Sequence, residues 1–163
     1  MAANIRLPLE LQSKKITDHE LIHLLHKVHL DKSYLHHSIH ELSGGMKMRT
    51  AMARSLVMSP ACLFLDEPFS ALDEHTRFGL QDLLVELLAK QNLSAVFVTH
   101  SIAEAVYLAD RILILDRNGC LADEFIRPPE ISRTKDLRNH VAFFETVQKV
   151  HRLYERAQGR GET

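Results

Sequence analysis

The sequence predicts an α/β fold built on a parallel sheet, and three observations carry that expectation. Residues 62–65 and 95–99 are short, mostly apolar runs of strand length, the pattern of strands covered on both faces. Between them, Phe78, Leu80, Leu84, Leu87 and Leu88 recur at helical spacing over residues 74–90. A shorter helix at 101–109 then leads into a third apolar run at 111–115. Strand, helix, strand, helix, strand in that order is the signature of a parallel α/β sheet.

The elements follow from local chemistry. Residues 1–15 show no clear period: Leu7, Leu9 and Leu11 alternate, but Pro8 interrupts them. Thr17-Asp18-His19-Glu20 is a capping box, in which the Thr hydroxyl closes the first turn while Glu20 reaches back. Leu21, Leu24, Leu25 and Val28 follow, so 18–30 is predicted to be an amphipathic helix with His23, His26 and His29 mostly on its polar side. Ser43 can cap a helix running to Met58, which Pro60 ends. Asn118-Gly119 predicts a tight turn into a strand at 120–126. Pro128-Pro129 marks a break, and 136–156 reads as a helical tail around Phe143, Phe144, Val147 and Leu153. No internal repeat or low-complexity tract is present.

Composition narrows the function classes. Hydrophobic residues are 45% and charged residues 25%, the values of a globular domain with a core. With 20 basic and 21 acidic residues the net charge is −1, which gives no electrostatic reason to expect nucleic acid or a membrane surface as partner. Two isolated cysteines, Cys62 and Cys120, make no disulfide framework and fit a reducing cytosol. No apolar run reaches roughly 18 residues, so no spanning helix is expected. Residues 1–10 lack the apolar block of a signal peptide. Eleven histidines raise the question of a metal protein, but His36, His37 and His40 lack the spacing of a zinc site, and solvated histidines are the plainer reading.

The residues that carry chemistry cluster around the predicted strand ends. Asp66-Glu67 closes the first apolar run, and ligands in open parallel sheets bind beyond the carboxyl ends of strands. Asp66 there can hold Mg²⁺ through water beside a nucleotide phosphate, and Glu67 can orient or deprotonate an attacking water. A strand running into an acidic turn would look the same. Leu42-Ser43-Gly44-Gly45-Met46 adds weight. Two glycines let the backbone approach a phosphate, Ser43 adds a hydroxyl, and the helix beginning there aims its positive end at an anion. A Ser-capped helix after a flexible turn has equal claim. Asp73 reads as the N-cap of the next helix, and His100 can hydrogen-bond a terminal phosphate or be an ordinary strand-end histidine.

The ordered set is more specific than its parts. Leu42-Ser43-Gly44-Gly45-Met46, then Asp66-Glu67-Pro68, then Ser70-Ala71-Leu72-Asp73, then Thr99-His100 resembles the ATP-binding-cassette (ABC) ATPases over essentially the whole chain. The resemblance implies a P-loop NTPase-like sheet, incomplete here, with residues 1–58 as an α-helical signature subdomain. It implies that 59–126 is the Walker B, D-loop and switch-histidine part of the core, and that 127–163 is a C-terminal helical tail. By resemblance Ser43, Gly44 and Gly45 contact the γ-phosphate of ATP held by the opposite protomer. Asp66 is the metal-side acid for Mg²⁺, Glu67 the general base, Asp73 a residue working across the dimer and His100 the γ-phosphate sensor. Asp66–Asp73, Ile102-Ala103-Glu104-Ala105 and Asp110-Arg111 are similar to importer ATPases of the nitrate, sulfonate and taurine group. The stretch 127–138 resembles their linker.

That resemblance implies a transmembrane permease, a second ATPase subunit, a solute-binding protein at one remove, no nucleic acid, and attachment to the inner membrane face through the permease. Position 46 is Met where Gln is commonest in the family, and Lys47-Met48 stands where Gln-Gln is usual, while Arg49 is kept. No Gly-x-x-x-x-Gly-Lys-Ser/Thr occurs, the only Gly-Lys/Arg step being Gly159-Arg160, and the Q-loop Gln is missing. Without that phosphate loop the chain alone is expected to hydrolyse no ATP, because positioning is most of phosphoryl-transfer catalysis. Loss of a strand from within the sheet is expected to expose apolar edges and leave a marginal core. The alternative is a non-catalytic remnant or binding module that docks a permease or a complete ATPase.

Overall fold

A computed structural model describes residues 1–129, 131 and 133–159. Among the described residues, six α-helices and four strands run in the order α1 (Ala2–Glu10), α2 (Asp18–Lys27), α3 (Gly44–Leu56), β1 (Cys62–Asp66), α4 (Glu74–Gln91), β2 (Ser94–Val98), α5 (Ile102–Leu108), β3 (Arg111–Leu115), β4 (Leu121–Ile126) and α6 (Val141–Ala157). The chain divides into two compact units, Met1–Val96 and Phe97–Thr163. No described helix is long and apolar enough to cross a membrane.

In the first unit α1 and α2 pack on α3, and α3 touches α4. Ile5, Leu21, Leu25, Val28, Leu80 and Leu84 are almost fully buried and form its apolar interior. Helix α1 is a correction to the irregular segment expected from Pro8. The helix carries Pro8 inside it and forgoes one ladder bond, while Ile5 sits fully buried, so burial outweighs the local break. The capping box of α2 forms as expected, with Glu20 N–H donating to the Thr17 hydroxyl and Thr17 N–H to the Glu20 carboxylate. Helix α2 ends at Lys27 rather than at residue 30, because His29 adopts a left-handed backbone (φ 54°). His23, His26 and His29 are exposed, and His29 faces Glu86 of α4 at 3.6 Å. Helix α3 stops at Leu56, ahead of Ser59 (φ 49°) and Pro60.

The sheet departs most from expectation. The expected α/β class holds, but among the described residues β1 pairs with β2 and β3 with β4, giving two two-stranded sheets rather than one continuous parallel sheet. β3 and β4 are antiparallel, with Arg111 opposite Ile126, Leu113 opposite Glu124 and a bulge between Ile114 and Leu115. The hairpin is closed by the expected turn, in which Gly119 takes φ +77° and Asp116 accepts from the N–H groups of Asn118 and Cys120. Nor are the first two strands covered on both faces. Along β1, Leu63 is buried and Phe64 is 81% exposed; along β2, Val96 and Val98 are each about half exposed. A strand in a two-stranded sheet has one packed face, so it alternates.

In the second unit α6 packs on α5, β3 and β4, burying Phe143 and Val150. The expected tail helix is split: a 3₁₀ turn (Lys135–Asn139) precedes α6, and His140 between them is extended. Within the expected linker 127–138, Glu130 and Ser132 lie outside the described residues, as does Arg160.

Candidate functional site

Ser43 is the N-cap of α3, as its sequence context predicts. It is extended (φ −64°, ψ 165°), and its hydroxyl accepts from Met46 N–H at 3.3 Å. The first N–H groups of α3 have no partner within the helix and leave its positive end exposed beside Ser43 and Gly44. The two glycines differ. Gly44 is exposed, and a Cβ there would stand 3.1 Å from Leu72 Cδ2. Gly45 is buried, and a Cβ there would stand 2.7 Å from Thr76 Cγ2. Gly45 is therefore also required by the approach of α3 to the start of α4. Arg49 on α3 donates to the carbonyl of Val28 at 3.0 Å and ties α3 to the end of α2. Burial pulls its pKa below the ordinary guanidinium value.

Gly45→Ala tests that packing. Ala is about 1 kcal/mol better than Gly in a helix interior, but forcing a methyl against a β-branched neighbour costs about 1–3 kcal/mol. The overlap is expected to win, lowering the urea midpoint. Thr76→Ser removes the clashing methyl and is expected to restore it. A Gly45→Ala variant as stable as the parent would show that the two helices part freely.

The acidic turn is built on one buried side chain. Asp66 ends β1 and is exposed. Glu67 adopts φ 43°, a left-handed backbone uncommon for a non-glycine residue. Two bonds converge on its carbonyl, from Ser70 N–H at 3.3 Å and the Ser70 hydroxyl at 3.0 Å. Phe69, within the turn, is fully buried, and its carbonyl accepts from Leu72 N–H at 3.2 Å. Asp73 then caps α4, accepting from Thr76 N–H at 2.9 Å, which holds its carboxyl below the usual range. Arg77 closes the segment by donating to the Leu72 carbonyl at 3.1 Å.

Within the first unit the fold thus brings the Ser43-Gly44-Gly45 turn against Leu72 and Thr76, on either side of Asp73. Asp66 and Glu67 lie one turn earlier in the same segment. A single exposed carboxylate at a strand end suits Mg²⁺, which keeps water and phosphate oxygens as most of its ligands. No three His, Cys, Asp or Glu side chains among the described residues could hold an ion as a protein-only cage.

His100 belongs to the second unit. It is exposed, between the end of β2 and α5. Sequence reasoning missed what surrounds it. Glu104 is 7% exposed and accepts from the Thr99 hydroxyl at 2.8 Å. That hydroxyl in turn accepts from Ser101 N–H at 3.0 Å. Ser101 caps α5 by accepting from Glu104 N–H. At the far end of α5, Arg127 donates to the carbonyls of Ala109, Val106 and Tyr107 at 3.0, 2.7 and 2.8 Å. The visible signal for Glu104 was an acid in a first helical turn.

Comparison with known proteins places these elements. Residues 4–70 match the family described as ABC transporter. The chain is 46% identical over 99 residues to the aliphatic sulfonates import ATP-binding protein SsuB 1 of Pseudomonas syringae pv. syringae (strain B728a), covering 60% of this chain and 41% of that protein. It is 40% identical over 121 residues to SsuB 2 of Burkholderia cenocepacia (strain HI2424), covering 72% and 44%. The chain therefore spans less than half the length of these curated relatives. Among solved structures, an ATP-binding cassette seen as a dimer in a post-hydrolysis state with ADP and Pi superposes with TM-score 0.63 at 29% identity, over 77% of this chain and 55% of that one. An inward-facing ABC transporter shares the fold, with TM-score 0.65 at 21% identity over 90% of this chain and 56% of that one. Residues 4–70 match the ABC transporter family, and the chain as a whole resembles part of an ABC importer ATP-binding subunit.

Proposed function

We propose that this chain is part of the ATP-hydrolysing subunit of an ABC importer for nitrate-, sulfonate- or taurine-like solutes. The observation that carries the reading is the acidic turn. Glu67 is held in a left-handed backbone by Ser70 over buried Phe69, at the end of β1, in the same unit as the exposed helix start at Ser43. Glu67 orients and deprotonates the attacking water, and Asp66 binds the water shell of Mg²⁺. That ion, when bound, offsets charge on the β- and γ-phosphates. Ser43, Gly44 and Gly45 present a hydroxyl and backbone N–H groups to the γ-phosphate of ATP held by a second ATPase subunit. Asp73 works across the same interface, and His100 hydrogen-bonds the terminal phosphate. The motif blocks assign 1–58 to the signature subdomain, 59–126 to the catalytic part of the core and 127–163 to the tail. The subunit docks a transmembrane permease from the cytoplasm, and a solute-binding protein acts on the permease's other side.

The test is a chimera carrying the N-terminal part of the Pseudomonas syringae relative ahead of residue 4. The chimera is expected to hydrolyse ATP, and Glu67→Gln to lower kcat by at least about a hundredfold. The 163-residue chain alone is expected to give no turnover above its own Glu67→Gln control. Equal rates for the chimera and its Glu67→Gln form would sink the general-base assignment.

A second reading, a non-catalytic module that docks a permease or a complete ATPase, is favoured by the exposed Phe64, Val96 and Val98 of β1 and β2. It predicts an inactive chimera.

A further inference from the structure

We infer that Glu104 is a positioning residue that fixes the aim of His100 through the hydroxyl of Thr99. The inference rests on the reading of His100 as the residue that meets the terminal phosphate. Three hydrogen bonds close a small ring around residues 99–104. The Thr99 hydroxyl donates to Glu104 Oε2 at 2.8 Å and accepts from Ser101 N–H at 3.0 Å, and the Ser101 hydroxyl accepts from Glu104 N–H at 3.4 Å. His100 is exposed, and both its chain neighbours, Thr99 and Ser101, are tied down by these bonds.

The cost of the arrangement argues that the carboxylate has a task. Glu104 is 7% exposed, and removing an acid from water is unfavourable unless its oxygens are bonded. A helix first turn accommodates an acid at its surface at no such cost, and α5 already carries the apolar Val106, Tyr107 and Leu108 on its buried side. What the buried carboxylate adds is the bond to Thr99. That bond orients the hydroxyl so that its lone pair meets Ser101 N–H, and the backbone at His100 is left little room to turn. An imidazole that must hydrogen-bond a phosphate oxygen gains from arriving pre-oriented, because the ordering is then complete before the ligand binds. Glu104 touches no reacting atom in this scheme and acts only through Thr99.

The experiment is nuclear magnetic resonance on the 163-residue chain, reading the His100 ring signals and backbone order parameter. In the parent the order parameter at His100 is expected near the rigid value of about 0.85. Thr99→Val keeps the side-chain shape but removes the hydroxyl. It is expected to drop the His100 value below about 0.6 and shift the ring resonances. Thr99→Ser restores the hydroxyl and is expected to restore both readouts. Glu104→Gln retains an acceptor and should lie between, and Glu104→Ala should match Thr99→Val. Signals from Ile114 and Phe125 report whether the rest of the unit is intact, so the threonine pair decides the matter if Glu104→Ala fails to fold. His100 signals that superpose on the parent in Thr99→Val overturn the inference. The two readings fail separately. Variant-sensitive His100 signals in a parent chimera whose His100 ignores Mg-ATP would sink the phosphate role and uphold the positioning role.

Discussion

Phe69→Ala is expected to lower the stability of the first unit by about 3–5 kcal/mol, the usual cost of deleting a buried aromatic ring. Phe69 is fully buried, so the substitution leaves a cavity. For a small unit that loss is a large share of its whole stability. Phe69→Leu keeps most of the apolar volume and should cost less than about 1.5 kcal/mol. Urea unfolding followed by circular dichroism separates the two. Amide exchange adds the functional half. Phe69 belongs to the turn that carries Glu67 and Ser70, and its carbonyl accepts from Leu72 N–H, so protection at Ser70 and Leu72 is expected to fall even in variants that stay folded. A Phe69→Ala midpoint equal to the parent's would mean that the acidic turn is held by something other than its ring.

Arg127→Met is expected to cost about 2–4 kcal/mol in the second unit. Three carbonyls at the C-terminal end of α5 lose a charged donor together, and hydrogen bonds to charged groups are each worth about 1.5–3 kcal/mol before partial replacement by water. The guanidinium also meets the negative end of the helix. Burial, and then the nearby Arg133, push its pKa down to about 10, so it is still charged at neutral pH. Arg127→Lys keeps the charge but not the fork, and one ammonium cannot serve three carbonyls arranged around a helix end, so about half the loss is expected to remain. Thermal melts measure both variants, and exchange at Leu108 and Ala109 locates the effect. A lysine variant as stable as the parent would show that charge alone caps α5.

Local signals carried the helices whose caps are written beside them. Thr17 with Glu20, Ser43, and Asp73 each announce a first turn, and each forms the bond its type predicts. Asn118-Gly119 likewise announced its hairpin. Helix α1 was illegible because its one visible signal, Pro8, argues against helix, and the burial of Ile5 that decides the matter is set by a partner far along the chain. The strands were legible as strands, but the number of neighbours each has is a property of the fold. Phe64 at 81% exposure shows how an apolar run can promise a covered face that two strands do not supply. At the candidate site, motif order is what singles out Ser43, Asp66, Glu67, Asp73 and His100. The contact of Gly45 with Thr76, the burial of Glu104 and the three carbonyls around Arg127 join residues that no short-range pattern connects.

The backbone of Glu67 has a consequence for how such a chain drifts. A non-glycine residue at φ 43° carries about 1–3 kcal/mol of strain, held in place by the Ser70 bonds. Glycine or asparagine at that position would release part of it. On the proposed role of Glu67 as general base, selection for stability and selection for turnover pull position 67 in opposite directions. A library of this chain screened only for soluble expression is expected to accumulate Gly or Asn there, while a library of the chimera screened for hydrolysis is expected to keep Glu. The identity of that one residue then serves as a record of which pressure a lineage has been under.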